Sequence, residues 1–499
     1  MARARTAACM FAILCQTLFT LSPVDAPVRF GVALPAAALE KGISLRTGTA
    51  LSVRELPLRT RDGFVFVEIA AIPASRRITI DQGGAQSPVA FERIEGVPTD
   101  SLATSSDRVE STQWRYVDGT IDERRVHEFL VDADFGGDRF HAGEAKTVDC
   151  EGLRSRWGAV LQLPRAFHER VGFLPAAGPL ARSVRDHLCA VAHAMRELPS
   201  ARGEGDYARS GGIVTNLEFD TTLAMLRLGL ALEDVELLGR ARRSALHLCD
   251  IDLDARTGLP FQHGADHRSS APEPGHVWLQ GLLWAGAVFA DDRMLVTSQR
   301  IARALAALPA AAEGEAERAR DYAWPLRELE AYLSLRDDPV VAAAADSMAA
   351  AIAARYRPDL RTFCFGEGAF VEGDGYFERA WLTGGVVVPA LRAHLERRPD
   401  RELQRALDDT TAALMDRIGQ GRGGIPTHWR TLRGSVFAEH RAENDPKAFL
   451  MLECAPRKEL ARLLQRAHVQ RGLSETPSFD DPDLATSFSM IARCEWVYR

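Results

Sequence analysis

Basic charge is not in surplus in this chain of 499 residues: 61 Lys and Arg stand against 68 Asp and Glu, a formal net charge of −7. A nucleic-acid surface normally presents a basic face, so nucleic acid is not an expected partner. Beyond the N-terminus, no run is apolar for the roughly 20 residues that a membrane helix needs. No membrane span is therefore expected once a leader is removed. No pair of cysteines has the close spacing of a zinc site, and the sequence alone calls for neither metal nor cofactor. Cys9 and Cys15 lie in the leader region; Cys150, Cys189, Cys249, Cys364, Cys454 and Cys494 are scattered through the rest. Such spacing suits either disulfides or buried thiols.

What remains is ordinary globular composition, 46% hydrophobic and 26% charged. The length allows two to three domains. Arg3 and Arg5 form a short basic region, Thr6 to Leu21 an apolar one, and Val24-Asp25-Ala26 offers a cleavage site. Residues 1–26 therefore read as a signal peptide, with a mature chain starting at Pro27 and a secreted or periplasmic destination.

Two periodicities divide the mature chain into an α+β multidomain arrangement. Val28 to Leu34, Phe64 to Ile69 and Arg77 to Ile80 are β-branched, aromatic or alternating, with Asp62-Gly63 and Gly83-Gly84 as turns. Residues 27–95 are expected to form a small β-barrel. Residues 96–178 hold a polar linker and further strands near 128–131 and 157–163, an abbreviated sandwich. From 179 to 499 alanine and leucine recur at helical spacing with arginines on the presumed solvent faces. Twelve helices are expected, near 180–197, 217–230, 232–249, 276–290, 293–308, 321–335, 339–356, 376–396, 401–418, 446–453, 456–470 and 484–493.

Their connections alternate between short and long. Antiparallel hairpins put every second connection at the same end of the stack, so the long loops should share one face. Six hairpins closed on themselves would make an (α/α)6 toroid with one functional end.

The long loops concentrate polar residues. The first holds Tyr207 and Arg209 and ends in Asn216-Leu217-Glu218-Phe219-Asp220. Asn216 and Asp220 would share one face of a helix start, where capping by Thr215 or Asn216 is the alternative role. The second holds His263, His267 and Arg268, then His276 and Trp278. His276 opens a segment that is apolar nearly all round, as an inner helix would be, and would project into the mouth. A helix N-terminus favours neutral imidazole, the form a general base needs. Tyr322 and Trp324 open the next inner helix; His428, Arg430 and Arg441 precede a later one. Aromatic faces interleaved with charged groups suit sugar rings and their carboxylates.

The run Asn216 to Asp220, Ala245 to Asp252, Gln262-His263 and Gly275-His276-Val277-Trp278-Leu279-Gln280-Gly281 resembles exo-type rhamnogalacturonan lyases, as does the opening Arg29 to Pro35. The resemblance implies a small barrel, a sandwich and an α/α toroid, and β-elimination on an acidic polysaccharide or oligosaccharide. It implies His276 or His267 as base and Tyr322 or Tyr207 as acid, with His263 a further catalytic candidate. Asn216, Arg209 and Arg268 would neutralise a carboxylate, and Glu218, Asp220, Trp278, Trp324, His428, Arg430 and Arg441 would bind sugar. Two other readings stay open: a toroid glycoside hydrolase with paired carboxylates, and a non-catalytic glycan-binding surface protein.

Overall fold

The structure is a computed structural model. It describes residues 17–20, 28–36, 43–45, 48–73, 77–82 and 91–93, short strands between 107 and 141, residues 168–169 and 171–175, and most of 182–456. The breaks in that last stretch are 199–203, 210, 233, 251, 255, 266–269, 309–317, 367–375, 421–424, 433–434 and 440–444; further on, 459–460, 463, 484–494 and 498 are described.

The N-terminal strands are β1 (Thr17–Thr20), β2 (Val28–Pro35), β3 (Ile43–Leu45), β4 (Gly48–Arg59), β5 (Phe64–Pro73), β6 (Arg77–Gln82) and β7 (Phe91–Arg93). They form two sheets, ordered β2-β5-β4-β7 and β1-β6-β3, and β1 pairs with β6 from within residues 1–26, the expected leader. All pairings are antiparallel except β4 with β7. The expected strands at Val28, Phe64 and Arg77 are therefore present, and the described pairings make two sheets without closing a barrel. The expected strand at 157–163 lies outside the described residues.

The helical part contains α1 (Arg182–Glu197), α2 (Thr221–Leu232), α3 (Val235–Asp250), α4 (Gln280–Phe289), α5 (Asp292–Ala306), α6 (Ala319–Leu333), α7 (Pro339–Ala353), α8 (Val388–Arg397), α9 (Arg401–Gln420), α10 (Asp445–Met451) and α11 (Leu484–Ala492). A helical turn at Ala380–Leu382 and a π turn at Thr383–Val387 lead into α8. Residues buried all round mark the inner helices: every residue of α4 is buried, as are Thr221 to Leu230 of α2. By contrast α5 buries only one stripe and caps itself with Asp291, which accepts from the Arg293 and Met294 amides.

Contacts run from α2 to α4, α4 to α6, α6 to α8, the turn before α8 to α10, α10 to α11, and α11 back to α2. At that last join the Thr221 and Ser489 hydroxyls lie 3.0 Å apart. Helices α3, α5, α7 and α9 each pack on the inner helix before them.

The first sheet docks on this helical body. A Cβ on Gly31 would stand 1.9 Å from the carbonyl oxygen of Ala287, so only glycine lets β2 reach α4. Phe173 stacks on Trp284 of α4 at 4.8 Å and meets Phe66 of β5 at 5.6 Å. The Arg54 guanidinium joins Glu68 of β5 to Asp292 of α5.

Candidate functional site

The polypeptide entering α2 is bent in a way helix periodicity does not announce. Asn216, Leu217, Phe219 and Asp220 have φ of 44°, 60°, 61° and 59°. Four non-glycine residues in the left-handed region cost of order 1–3 kcal/mol each and persist only where surroundings enforce them. Here they do. The Asn216 side-chain amide donates to the Gln262 carbonyl at 2.7 Å. Asp220 accepts from the Leu223 amide at 3.0 Å and the Gly281 amide at 2.9 Å. The helix expected from 217 therefore starts at Thr221, and the cap is Asp220 rather than Thr215 or Asn216.

This bend sends Glu218 and Asp220, two residues apart, into different surroundings. Glu218 turns to the rim. Its carboxylate lies 3.8 Å from His263 Nδ1, and the His263 ring meets the His276 ring edge-on at 4.9 Å. His276 Nδ1 is 2.8 Å from Glu273, which also pairs with Arg318. Arg318 in turn bonds Asp321 at 2.8 Å. Arg320 sits in the same field. Burial pulls its guanidinium below the usual value, Arg318 and Arg379 push the same way, and Glu218 opposes them. The rim thus gathers two imidazoles, two glutamates and a group of arginines from the entrances to α2, α4, α6 and the turn before α8. Glu218, His263 and His276 also lie close enough for their donor atoms to share one ion.

Asp220 turns inward to a buried floor. Beside it Glu328 accepts from the Leu279 and Gln280 amides at 2.9 and 2.7 Å. Between these acids lies Arg493, fully buried, 3.5 Å from Glu328 and over the rings of Trp324 at 4.4 Å and Trp278 at 5.6 Å. Burial raises the Asp220 carboxyl above its usual range, against Arg493 and its two backbone donors. Burial and then Asp220 raise Glu328. Burial and then Arg327 lower Arg493, to about 10.

The structure accordingly brings Asn216, Glu218, His263 and His276 together, with His263 half-buried and Asn216, Glu218 and His276 buried behind it instead of projecting into an open mouth, and places other expected site residues elsewhere. Trp278 and Trp324 are 2% and 0% exposed, pack on Phe219 and each other, and form the floor rather than a sugar platform. Asp220 meets backbone amides. Tyr207 is buried between Glu204 and Arg240, each 3.1 Å from its hydroxyl, and burial pushes that hydroxyl well above its usual value. The Tyr322 hydroxyl accepts from Arg355, whose guanidinium covers its ring at 4.5 Å. His428 stacks on Phe377 at 5.3 Å, and Arg430 is exposed on the same strand. Arg209 lies in a two-residue strand and its side chain is not described; His267, Arg268 and Arg441 fall outside the described residues. Sequence reasoning missed Glu273, Arg318, Arg320 and Arg493.

An open cleft of about 870 Å³ lies at the other end of α6, lined by Arg59, Arg61, Arg336 and Arg397 among others. It is a helix length, about 20 Å, from the rim. Among the described residues no helix is long and apolar enough to cross a membrane.

No family model and no curated protein matches the chain. Among solved structures, a sugar epimerase from a ruminal bacterium overlays with a TM-score of 0.44 at 9% identity, covering 58% of this chain and 84% of that one. A cellobiose 2-epimerase from Bacillus thermoamylovorans gives 0.43 at 10%, covering 57% and 86%. A polysaccharide lyase gives 0.43 at 11%, covering 63% and 97%. Overlaps this loose carry neither fold nor function, and both are read from the chain's own geometry.

Proposed function

We propose that this chain is an exported carbohydrate-active enzyme on an (α/α)6 toroid, and that it cleaves a uronic-acid-containing glycan, of rhamnogalacturonan type, by β-elimination. The observation that carries the reading is the contact of His263 and His276 beside Glu218 and the Arg318–Arg320 group. Elimination needs a base for the C5 proton, cations for the carboxylate as it becomes enolate-like, and an acid for the leaving oxygen.

Glu273 stands 2.8 Å from Nδ1 of His276, and a proton kept on that nitrogen leaves Nε2 as the basic one. Nε2 takes the C5 proton, the C4–O bond breaks as the C4=C5 double bond forms, and His263 protonates the departing oxygen. Arg318 and Arg320 neutralise the carboxylate. Asn216 is a positioning residue, holding the carbonyl of Gln262 next to His263. The test is a panel of polysaccharides assayed both for unsaturated-uronate absorbance and for reducing ends. Both signals should appear on an acidic glycan. Reducing ends without the double bond would make the chain a hydrolase, and binding without turnover would make it a glycan-binding protein. Export is checked by N-terminal sequencing from the native host, which should begin at Pro27; an intact Met1 would overturn it.

A further inference from the structure

A second cluster of metal-ligating side chains, one histidine and two aspartates, lies apart from the rim, and the reaction above makes no use of it. Asp206, His247 and Asp252 are 0%, 2% and 1% exposed. They come from three segments: the first long loop, the last turn of α3, and the start of the second long loop. His247 Nε2 is 3.2 Å from Asp206 Oδ2 and 3.5 Å from Asp252 Oδ2. Both carboxylates thus approach one ring nitrogen, and a single N–H cannot point at two acceptors well.

We infer that Asp206, His247 and Asp252 form a buried site for a divalent transition-metal cation, zinc foremost. Neighbouring ligands of a tetrahedral zinc with bonds of 2.0–2.2 Å stand about 3.3–3.6 Å apart, close to the two separations seen. All three donor atoms lie within 4.8 Å of one another, so one ion reaches them together. The three groups alone carry one or two negative charges at complete burial, where like charges are costly and a dication is favoured. One imidazole with two carboxylates suits zinc better than calcium or magnesium, which take oxygen ligands.

The position gives the ion a task. Asp206 precedes Tyr207, whose amide donates to Thr215 Oγ1 at 3.0 Å beside the left-handed bend. The Asp252 carbonyl accepts from the Phe261 amide at 2.8 Å, two residues before His263. A metal here would staple the two loops that carry Glu218 and His263, a structural role distinct from proton transfer at the rim.

The test uses the full chain, stripped with a chelator and titrated with zinc. One zinc should bind per chain, and the melting temperature should rise with free zinc. His247→Gln and Asp252→Asn should weaken uptake by at least about 100-fold, the upper end of what losing even an outer partner costs. Glu218→Gln should leave it unchanged. X-ray absorption of the zinc-loaded wild type needs no variant to fold, and should show a single imidazole with oxygen ligands. Two imidazoles would assign the ion to His263 and His276 and overturn the proposal, as would zinc uptake that survives His247→Gln, or no uptake.

Discussion

The rim and the floor are built from the same residue types, yet they do opposite work. Glu218 and Asp220 leave the same bend, one toward His263 and the other toward the Gly281 amide. The floor's acids meet backbone donors and a buried arginine between indole rings, so every polar group there fixes one packing arrangement. The rim's acids meet imidazoles and guanidiniums, side chains that can exchange protons or hold an anion. Residue identity does not separate the two regions; the partner does. A carboxylate bonded to helix-start amides is committed to the fold, whereas one beside imidazole is available to chemistry.

Substituting one member of each region tests that separation, and the largest effect belongs to the rim. His276→Gln should lower turnover on the active glycan by roughly 10²–10⁴-fold, equal to about 3–5 kcal/mol on the barrier, while the melting temperature stays near wild type. A variant that keeps its activity, or that loses both activity and melting transition, would erase the distinction. Arg493→Met should do the reverse. Removing the cation leaves Asp220 and Glu328 facing each other in a buried space, which costs about 3–5 kcal/mol. Chemical denaturation reads it, and unchanged stability would mean that the floor is not held by charge.

A finer contrast lies at the start of α2. Asp220→Ala removes the cap and a bond to α4, for a loss of about 1–2 kcal/mol in the same denaturation experiment. Glu218→Ala, two residues away, should cost less stability, because its carboxylate faces the His263 ring.

The smallest effect separates two glutamates on α6. Burial raises Glu328, whereas for Glu330 burial is outweighed by hydrogen bonds from His394 and Arg397, which hold its carboxyl below the usual range. A depressed carboxyl contributes stability above its unfolded pKa, about 4.3, and loses it as pH falls through the lower folded value. The acid limb of a melting-temperature profile should therefore flatten in Glu330→Gln. An identical limb would remove Glu330 from the acid response.

Much of the helical part was legible, because long amphipathic segments such as α3, α5 and α9 declare their period and hairpins follow from alternating loop length. The convergence of Asn216 with His276 was legible for the same reason. The left-handed bend was not: four such residues in a five-residue run without glycine look like the first turn of a helix, and Gln262 and Gly281, far along the chain, help to enforce it. Trp278 and Trp324 suit a sugar platform by sequence because an aromatic at an inner-helix start fits a mouth or a floor equally, and Arg493 decides it from more than 160 residues away. Glu273 sits in a Pro-rich loop, and Arg318 and Arg320 cap and open α6 at the end of a charged run, Glu313 to Asp321, whose local signal is only solvation. Burial of a charge is a property of the assembled ring and leaves no mark in its own neighbourhood.

The join between α11 and α2 has a consequence for synthesis. Arg227 donates to the Arg493 carbonyl, and Thr221 meets Ser489, across 266 and 268 residues of chain. Translation at about 5–20 residues per second takes roughly 13–50 s to cover that span. Throughout it, the apolar flank of α2 has no α11 to cover it, and the early helices must wait in a state open to association. Contacts of such long range also slow closure after release. For about half of its elongation the nascent chain therefore carries this flank uncovered, and the synthesis of α11 sets when it can be covered.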